Sequence, residues 1–293
     1  MSATHLEGFA ERSMEIRGVR LRFFVGGTGD PVILVHGLGG AASNYAELAV
    51  SLARRRAVLV PDLPGHGGST AFPAPVGMAG FVDRVELLAR RIGLWPAGVV
   101  GHSFGGPIGL RLALRAPDGV TGLVLAGSAG FSPSTKRAEQ ALLLSSLLRP
   151  GRWVAPHRDR VARSRALRRL VLGWGAADVD ALSATAVTGF LAGLELHTDT
   201  ATAARALIVD DVGARFGEIR APVLVLWGTR DRQTPIGDAY DYARRLRAEL
   251  RTIPGCGHLL IGERADACAH AIDSFLDGVL ELDEAPLQGE ALG

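Results

Sequence analysis

A serine between two glycines closes an apolar run in "VVGHSFGGPIG", residues 99–109. Glycine weakens strands and helices, so Gly101 and Gly105 fit only where the backbone must turn tightly. A Gly-x-Ser-x-Gly turn between strand and helix strains the serine and lifts its hydroxyl into the open. The helix start beyond it favours developing negative charge. Ser103 is the candidate nucleophile. A hydroxyl attacks an acyl carbon only when a base takes its proton. Asp231 in "VLVLWGTRDRQTP" and His258 in "RTIPGCGHLL" each follow an apolar run, in the chain order Ser, Asp, His that this turn calls for. Asp231 could instead cap a helix or hold a turn. Its rivals are worse placed. The run "GVTGLVLAG" continues into Ser128, Ala129 and Gly130 without a carboxylate. Asp210 and Asp211 follow no strand, and Asp178 and Asp180 read as a helix start.

Acyl transfer also needs two donors for the oxyanion. The loop "VHGLGG", residues 35–40, makes the backbone N–H of Leu38 the first candidate and that of Phe104 the second. Glycines at 37, 39 and 40 let the backbone come close to a substrate. The loop lacks the Lys-Ser/Thr pair of a phosphate-binding loop and the spacing of a dinucleotide-binding one. Gly39, Phe190 and Leu259 are expected in the substrate pocket.

These residues need a frame. "PVILVHG", "RAVLVPDLPG", "AGVVGHS", "GVTGLVLAG" and "APVLVLWG" are too short for helices and too continuously apolar for half-exposed strands. They predict a doubly wound, mostly parallel α/β sheet, with helices over 42–53, 79–92, 105–115, 236–248 and 265–280. "MEIRGVRLRFFVGG" reads as a hairpin turning at Gly18. The alternation stops over 131–213, which reads as a helical cap inserted into a core of residues 14–130 and 214–280. Residues 281–293 read as a disordered tail.

The bulk numbers exclude several classes. A net charge of +2 over 293 residues selects neither nucleic acid nor a membrane for the chain as a whole. Two cysteines make no disulfide framework, and their spacing holds no metal. Glu7 and Glu11 stand where a signal peptide needs apolar residues, and no apolar stretch is long enough to span a bilayer. A cytoplasmic protein acting on a small molecule without metal or organic cofactor is expected, and its oligomeric state stays open. Lys136 is the only lysine, so arginine abundance reads as compositional bias. The basic stretch from Lys136 to Leu170 fits solvated helix faces, an anionic substrate or an acidic membrane surface. Cys256 lacks an elbow and reads as a packed thiol. His157 and His197 have no partner at metal-ligand spacing.

"HGLGG", "DLPGHGGS", "GHSFGG", "WGTRDRQTP" and "GCGHLL", in this order, resemble the α/β-hydrolase superfamily with a serine nucleophile and a helical cap. The resemblance covers residues 14 to 280. It implies a triad of Ser103, Asp231 and His258, a structural Asp62 and a His36 that shapes the oxyanion loop. The function expected is hydrolysis of a small, mostly apolar carboxylic ester or lactone through an acyl-enzyme. Two alternatives stay open. One is a C–C bond hydrolase of aromatic ring-fission products. Asn44-Tyr45 resembles that group, but Leu259 stands where it typically has tryptophan. The other is a non-hydrolytic ligand receptor that keeps the triad.

Overall fold

The apolar runs become the inner strands of an eight-stranded sheet in the computed structural model, which describes residues 5–130, 136–137, 140, 143–144, 151–209 and 213–284. The strands are β1 (Ala10–Ile16), β2 (Val19–Gly26), β3 (Asp30–Val35), β4 (Arg56–Pro61), β5 (Ala97–His102), β6 (Val120–Ala126), β7 (Val223–Gly228) and β8 (Glu249–Ile253). They lie in the order β1-β2-β4-β3-β5-β6-β7-β8. β2 runs antiparallel to β1 and β4, and every other pairing is parallel. The first hairpin turns on Arg17 and Gly18, at φ 47° and 76°, a pair of positive angles that suits the twist of a two-residue loop.

The helices are α1 (Leu48–Leu52), α2 (Met78–Arg91) and α3 (Gly105–Arg115), then α4 (Gly151–Val154), α5 (Arg158–Arg163), α6 (Arg165–Leu172), α7 (Ala184–Ala192) and α8 (Ala201–Val209) between β6 and β7. After β7 come α9 (Ile236–Leu246), α10 (Leu260–Glu263) and α11 (Ala265–Glu284). Alternate residues of each inner strand face opposite layers. Ile33 and Val35 join α2, α3 and α9 in one core, while Val32 and Leu34 join α1 and α11 in the other. Both faces are covered, which is why these strands carry no polar alternation.

The chain steps from β3 outward to β4, then returns to lay β5 on the other side of β3. The loops after β3 and β5 therefore diverge, opening a crevice at the carboxyl ends of these strands. The Leu38 loop and Ser103 stand there.

Several boundaries differ from expectation. The sheet starts at Ala10, and Leu6 and Phe9 are already buried, so the core begins ahead of residue 14. The helix expected over 42–53 is a 3-10 turn, Ala42–Tyr45, followed by α1. The Ala42 N–H donates to Asp62 at 2.7 Å and the Ser43 hydroxyl to the Gly189 carbonyl at 2.7 Å, so tertiary partners occupy this turn. α9 stops at Leu246 because Arg247 turns left-handed at φ 53°. α11 reaches Glu284, into the stretch read as a tail; residues 285–293 lie outside the described residues, as do 131–135 and 210–212 near the limits read for the insertion. Among the described residues no strand lies between β6 and β7.

The elbow glycines are required by close approach. A Cβ on Gly105 would stand 2.0 Å from the Val35 carbonyl oxygen, and one on Gly101 2.3 Å from that of Gly105. Gly105→Ala is expected to destabilise the fold by about 1–3 kcal/mol or more, since backbone must move. A urea midpoint equal to that of the unsubstituted protein would refute this.

Candidate active site

Ser103 follows β5 directly, at φ 52°, one of three non-glycine residues with a positive φ among those described. Such a backbone costs a non-glycine residue about 1–2 kcal/mol. Neighbours hold it in place. The Ser103 N–H donates to Ala126 O at 3.1 Å, and the Ser103 carbonyl accepts from Gly106 N at 3.0 Å and Ala129 N at 2.9 Å.

Asp231 follows β7 and is buried. Its Oδ1 accepts from the backbone N–H of Gln233 at 2.8 Å and of Thr234 at 2.9 Å. Its Oδ2 accepts from His258 Nδ1 at 2.8 Å and from the Thr234 hydroxyl at 2.7 Å. Burial pushes the carboxyl's pKa up. The attraction of the His258 ring and the hydrogen bonds from His258 and Thr234 outweigh burial and hold it below the usual range. Gly127 closes the run "GVTGLVLAG" just ahead of Ser128, Ala129 and Gly130. A Cβ on Gly127 would stand 3.4 Å from Asp231 Oδ2 and 3.5 Å from His258 Nδ1, so that strand end does face the pair but carries no carboxylate.

His258 sits between β8 and α10. Its carbonyl accepts from His102 Nε2 at 2.9 Å, and its N–H donates to Gly175 O at 2.7 Å. Burial lowers the His102 pKa to about 3, so that ring is neutral and holds its proton on Nε2 for this bond. Ser103 and His258 line one cavity, and among the described residues no hydrogen bond joins the hydroxyl to the ring.

That cavity has a volume of about 580 Å³. Leu38, Gly39, Phe190 and Leu259 line it, with Leu170, Val171, Leu172, Trp174, Leu191 and Leu194 from the segment between β6 and β7. Its polar edge includes Asn44 and Gln233. Among the described residues no arginine or lysine lines it. Arg165, Arg169 and Arg232 instead line a separate, more polar cavity of about 280 Å³ beside Asp178 and Asp180.

Leu38 and Phe104 stand at the mouths of the two loops, and neither backbone N–H donates a turn or loop hydrogen bond among the described residues. The Leu38 loop is braced from below. Burial lowers the His36 pKa to about 3. The neutral ring donates from Nδ1 to Gly37 O at 2.8 Å and accepts at Nε2 from Leu63 N at 3.0 Å. Asp62 takes Ala42 N, Gly68 N and Arg22 Nε within 2.8 Å, tying the loop after β4 to both neighbours.

The family model for the α/β hydrolase fold matches residues 30–265. The chain belongs to the α/β hydrolase fold family. This α/β hydrolase is 30% identical over 269 residues to the magnesium-chelatase 30 kDa subunit of Rhodobacter capsulatus, covering 85% of this chain and 88% of that one. It is also 30% identical over 285 residues to 2-hydroxymuconate semialdehyde hydrolase of Pseudomonas sp. strain CF600, covering 90% of this chain and 93% of that one. Among solved structures, a membrane phospholipase A is similar with a TM-score of 0.74 and 26% identity, over 95% of this chain and 89% of that one.

Three residues that brace this α/β hydrolase's site were not legible in its sequence. Thr234 anchors Asp231 Oδ2, and the Asp-x-x-Thr spacing of a local side-chain turn was the available signal. His197 reaches from the helical segment, donating from Nε2 to Gly39 O at 2.9 Å and accepting Gly67 N at Nδ1, also at 2.9 Å. Its ring packs on His66, 5.4 Å between centroids, which packs on His36 at 5.2 Å. His157 is exposed. Glu263 is buried and accepts backbone N–H groups from Gly257 at 3.0 Å, Ala177 at 3.0 Å and Asp178 at 2.9 Å. One carboxylate thus ties the His258 loop to the chain before α7. Cys256 is a packed thiol, its pKa raised by burial.

Glu263→Ala leaves three backbone donors without their acceptor. It is expected to cost about 1–3 kcal/mol of stability and, by loosening His258, to lower kcat about tenfold with KM nearly unchanged. Thermal unfolding and steady-state kinetics check both. Unchanged kcat in a destabilised variant would limit Glu263 to a structural role.

Proposed function

We propose that this α/β hydrolase cleaves a small, mostly apolar carboxylic ester, or a lactone, through an acyl-enzyme on Ser103. His258 takes the Ser103 proton as the hydroxyl attacks the acyl carbon and returns it to the leaving alcohol. Asp231 holds the imidazole with Nδ1 protonated and stabilises its cation. The Leu38 and Phe104 amides receive the oxyanion. Water activated by His258 then cleaves the acyl-enzyme. The helices between β6 and β7 act as a cap that closes the acyl site.

One observation carries the reading: a strained serine and a carboxylate-paired histidine open onto a cavity lined largely by leucine, valine and aromatic side chains. The C–C hydrolase alternative needs a cation for the substrate's carboxylate, and similarity to a 2-hydroxymuconate semialdehyde hydrolase speaks for it. Arg165 and Arg169 of the inserted segment line a different cavity, and among the described residues no arginine lines that of Ser103, which favours the neutral ester.

A p-nitrophenyl ester series from acetate to octanoate, run beside a yellow ring-fission product, tests the proposal. Turnover of the esters, fastest at an intermediate chain length, is expected. Bleaching of the ring-fission product alone would establish the C–C reading. No turnover of either, with ligand still bound, would leave the receptor.

A further inference from the structure

The cavity opens among side chains that a water-facing surface does not explain. Trp153 is 80% exposed, Leu170 79% and Trp174 55%. Leu170, in the last turn of α6, and Trp174, just past its end, line the cavity, as do Gly151 and Val154 on either side of Arg152 and Trp153. Tryptophan with its ring in water forgoes a large burial energy, and its amphipathic ring suits the boundary between lipid and water.

The charge around this rim is one-sided. From Arg152 to Trp174, both included, there are seven arginines and one aspartate. Arg158 and Arg165 are paired, to Glu195 and Asp180, and Arg168 bonds to backbone carbonyls of Ala162 and Leu182. Arg152, Arg160, Arg163 and Arg169 are exposed and make no ion pair among the described residues. The whole chain is only +2, so positive charge is concentrated where the apolar rim is.

We propose that this rim docks the protein, peripherally and reversibly, on the surface of an anionic phospholipid membrane. The tryptophans enter the headgroup boundary and the free arginines meet the lipid phosphates. A basic side chain near such a surface contributes about 1 kcal/mol, so four give substantial but salt-sensitive attraction. No described helix is long and apolar enough to cross a membrane, so the attachment is to one face. Docking does not depend on the hydrolase reading. Only its consequence does: the cavity mouth meets lipid, and an ester dissolved there reaches Ser103 without crossing water.

Co-sedimentation with phosphatidylcholine vesicles, with and without phosphatidylglycerol, tests this without any turnover. Binding to the mixed vesicles at low salt, at least tenfold weaker to phosphatidylcholine alone and lost at high salt, is expected, with a blue shift of tryptophan emission. Trp153→Ala and Arg152→Glu are each expected to weaken binding about tenfold. Neither lines the cavity, so hydrolysis of a water-soluble ester stays unchanged and reports intact folding. Absence of binding at low salt would overturn the proposal, as would binding that ignores lipid charge or both substitutions. A dimer that buries Trp153 in solution would overturn it too, making a second copy the occupant.

Discussion

Alanine at position 103 is expected to lower kcat for a p-nitrophenyl ester by about 10⁶-fold, the scale on which a triad fails when its nucleophile is lost. In the proposed mechanism the hydroxyl is the atom that bonds to the acyl carbon, and the described cavity lining offers no second serine, threonine or cysteine. The oxyanion amides and the cavity survive, so a residual rate about 10³–10⁴ above water is expected. The loss should fall on kcat with KM little changed. Stability should change little, because alanine keeps the Cβ and with it the strain of φ 52°. Mass spectrometry after a serine-directed phosphonate gives the same answer independently: one adduct on the unsubstituted protein and none on Ser103→Ala. Equal hydrolysis by the two forms would remove Ser103 from the mechanism.

Asp231→Asn is expected to cost about 10⁴-fold in kcat while the fold stays intact. The hydrogen bonds explain why an isosteric change is so damaging. Oδ1 accepts two backbone N–H groups, from Gln233 and Thr234, so the oxygen of an asparagine must take that side. Its NH₂ group then faces His258 Nδ1, where Oδ2 accepted at 2.8 Å. A donor there forces Nδ1 to become the acceptor. The ring proton moves to Nε2, and the ring can no longer take the serine proton. The Thr234 hydroxyl can no longer donate at that position and must instead accept from the NH₂ group.

The pH dependence follows with its sign. Asp231's native pKa lies below the ordinary 3.8, so its ionisation stabilises the fold fully above that value. The contribution fades as pH falls below 3.8 towards the lower native pKa. Urea midpoints measured as pH is lowered through this region should therefore drop more steeply for the unsubstituted protein than for Asp231→Asn. An acid limb of kcat/KM near neutral pH cannot belong to Asp231. Identical midpoint profiles in the two proteins would show that the carboxylate is not held in its charged form by the fold.

How much of this was legible beforehand depends on the range of each interaction. Gly101, Ser103 and Gly105 announce themselves because an elbow is a local backbone event and needs its glycines within five residues. Asp231 and His258 stand out because each follows an apolar run whose strand character is also local. Thr234 left only a weak turn signal. Glu263 and His197 left none: a glutamate that accepts from Gly257, Ala177 and Asp178 looks, in one dimension, like any surface acid at a helix end. The split of the helix expected over 42–53 was hidden for the same reason, since Asp62 and Gly189, which occupy its first turn, are distant in the chain.

By itself, then, the order of apolar runs, turns and reactive residues determined the α/β class and the three side chains proposed for catalysis, because periodicity and turn chemistry act between neighbours. Only the tertiary structure decided which strands meet at the crevice between β3 and β5, which leucines line the cavity, and that the arginines of α6 turn away from it. Those outcomes depend on how helices far apart in sequence share one buried volume, and no local pattern encodes that partition.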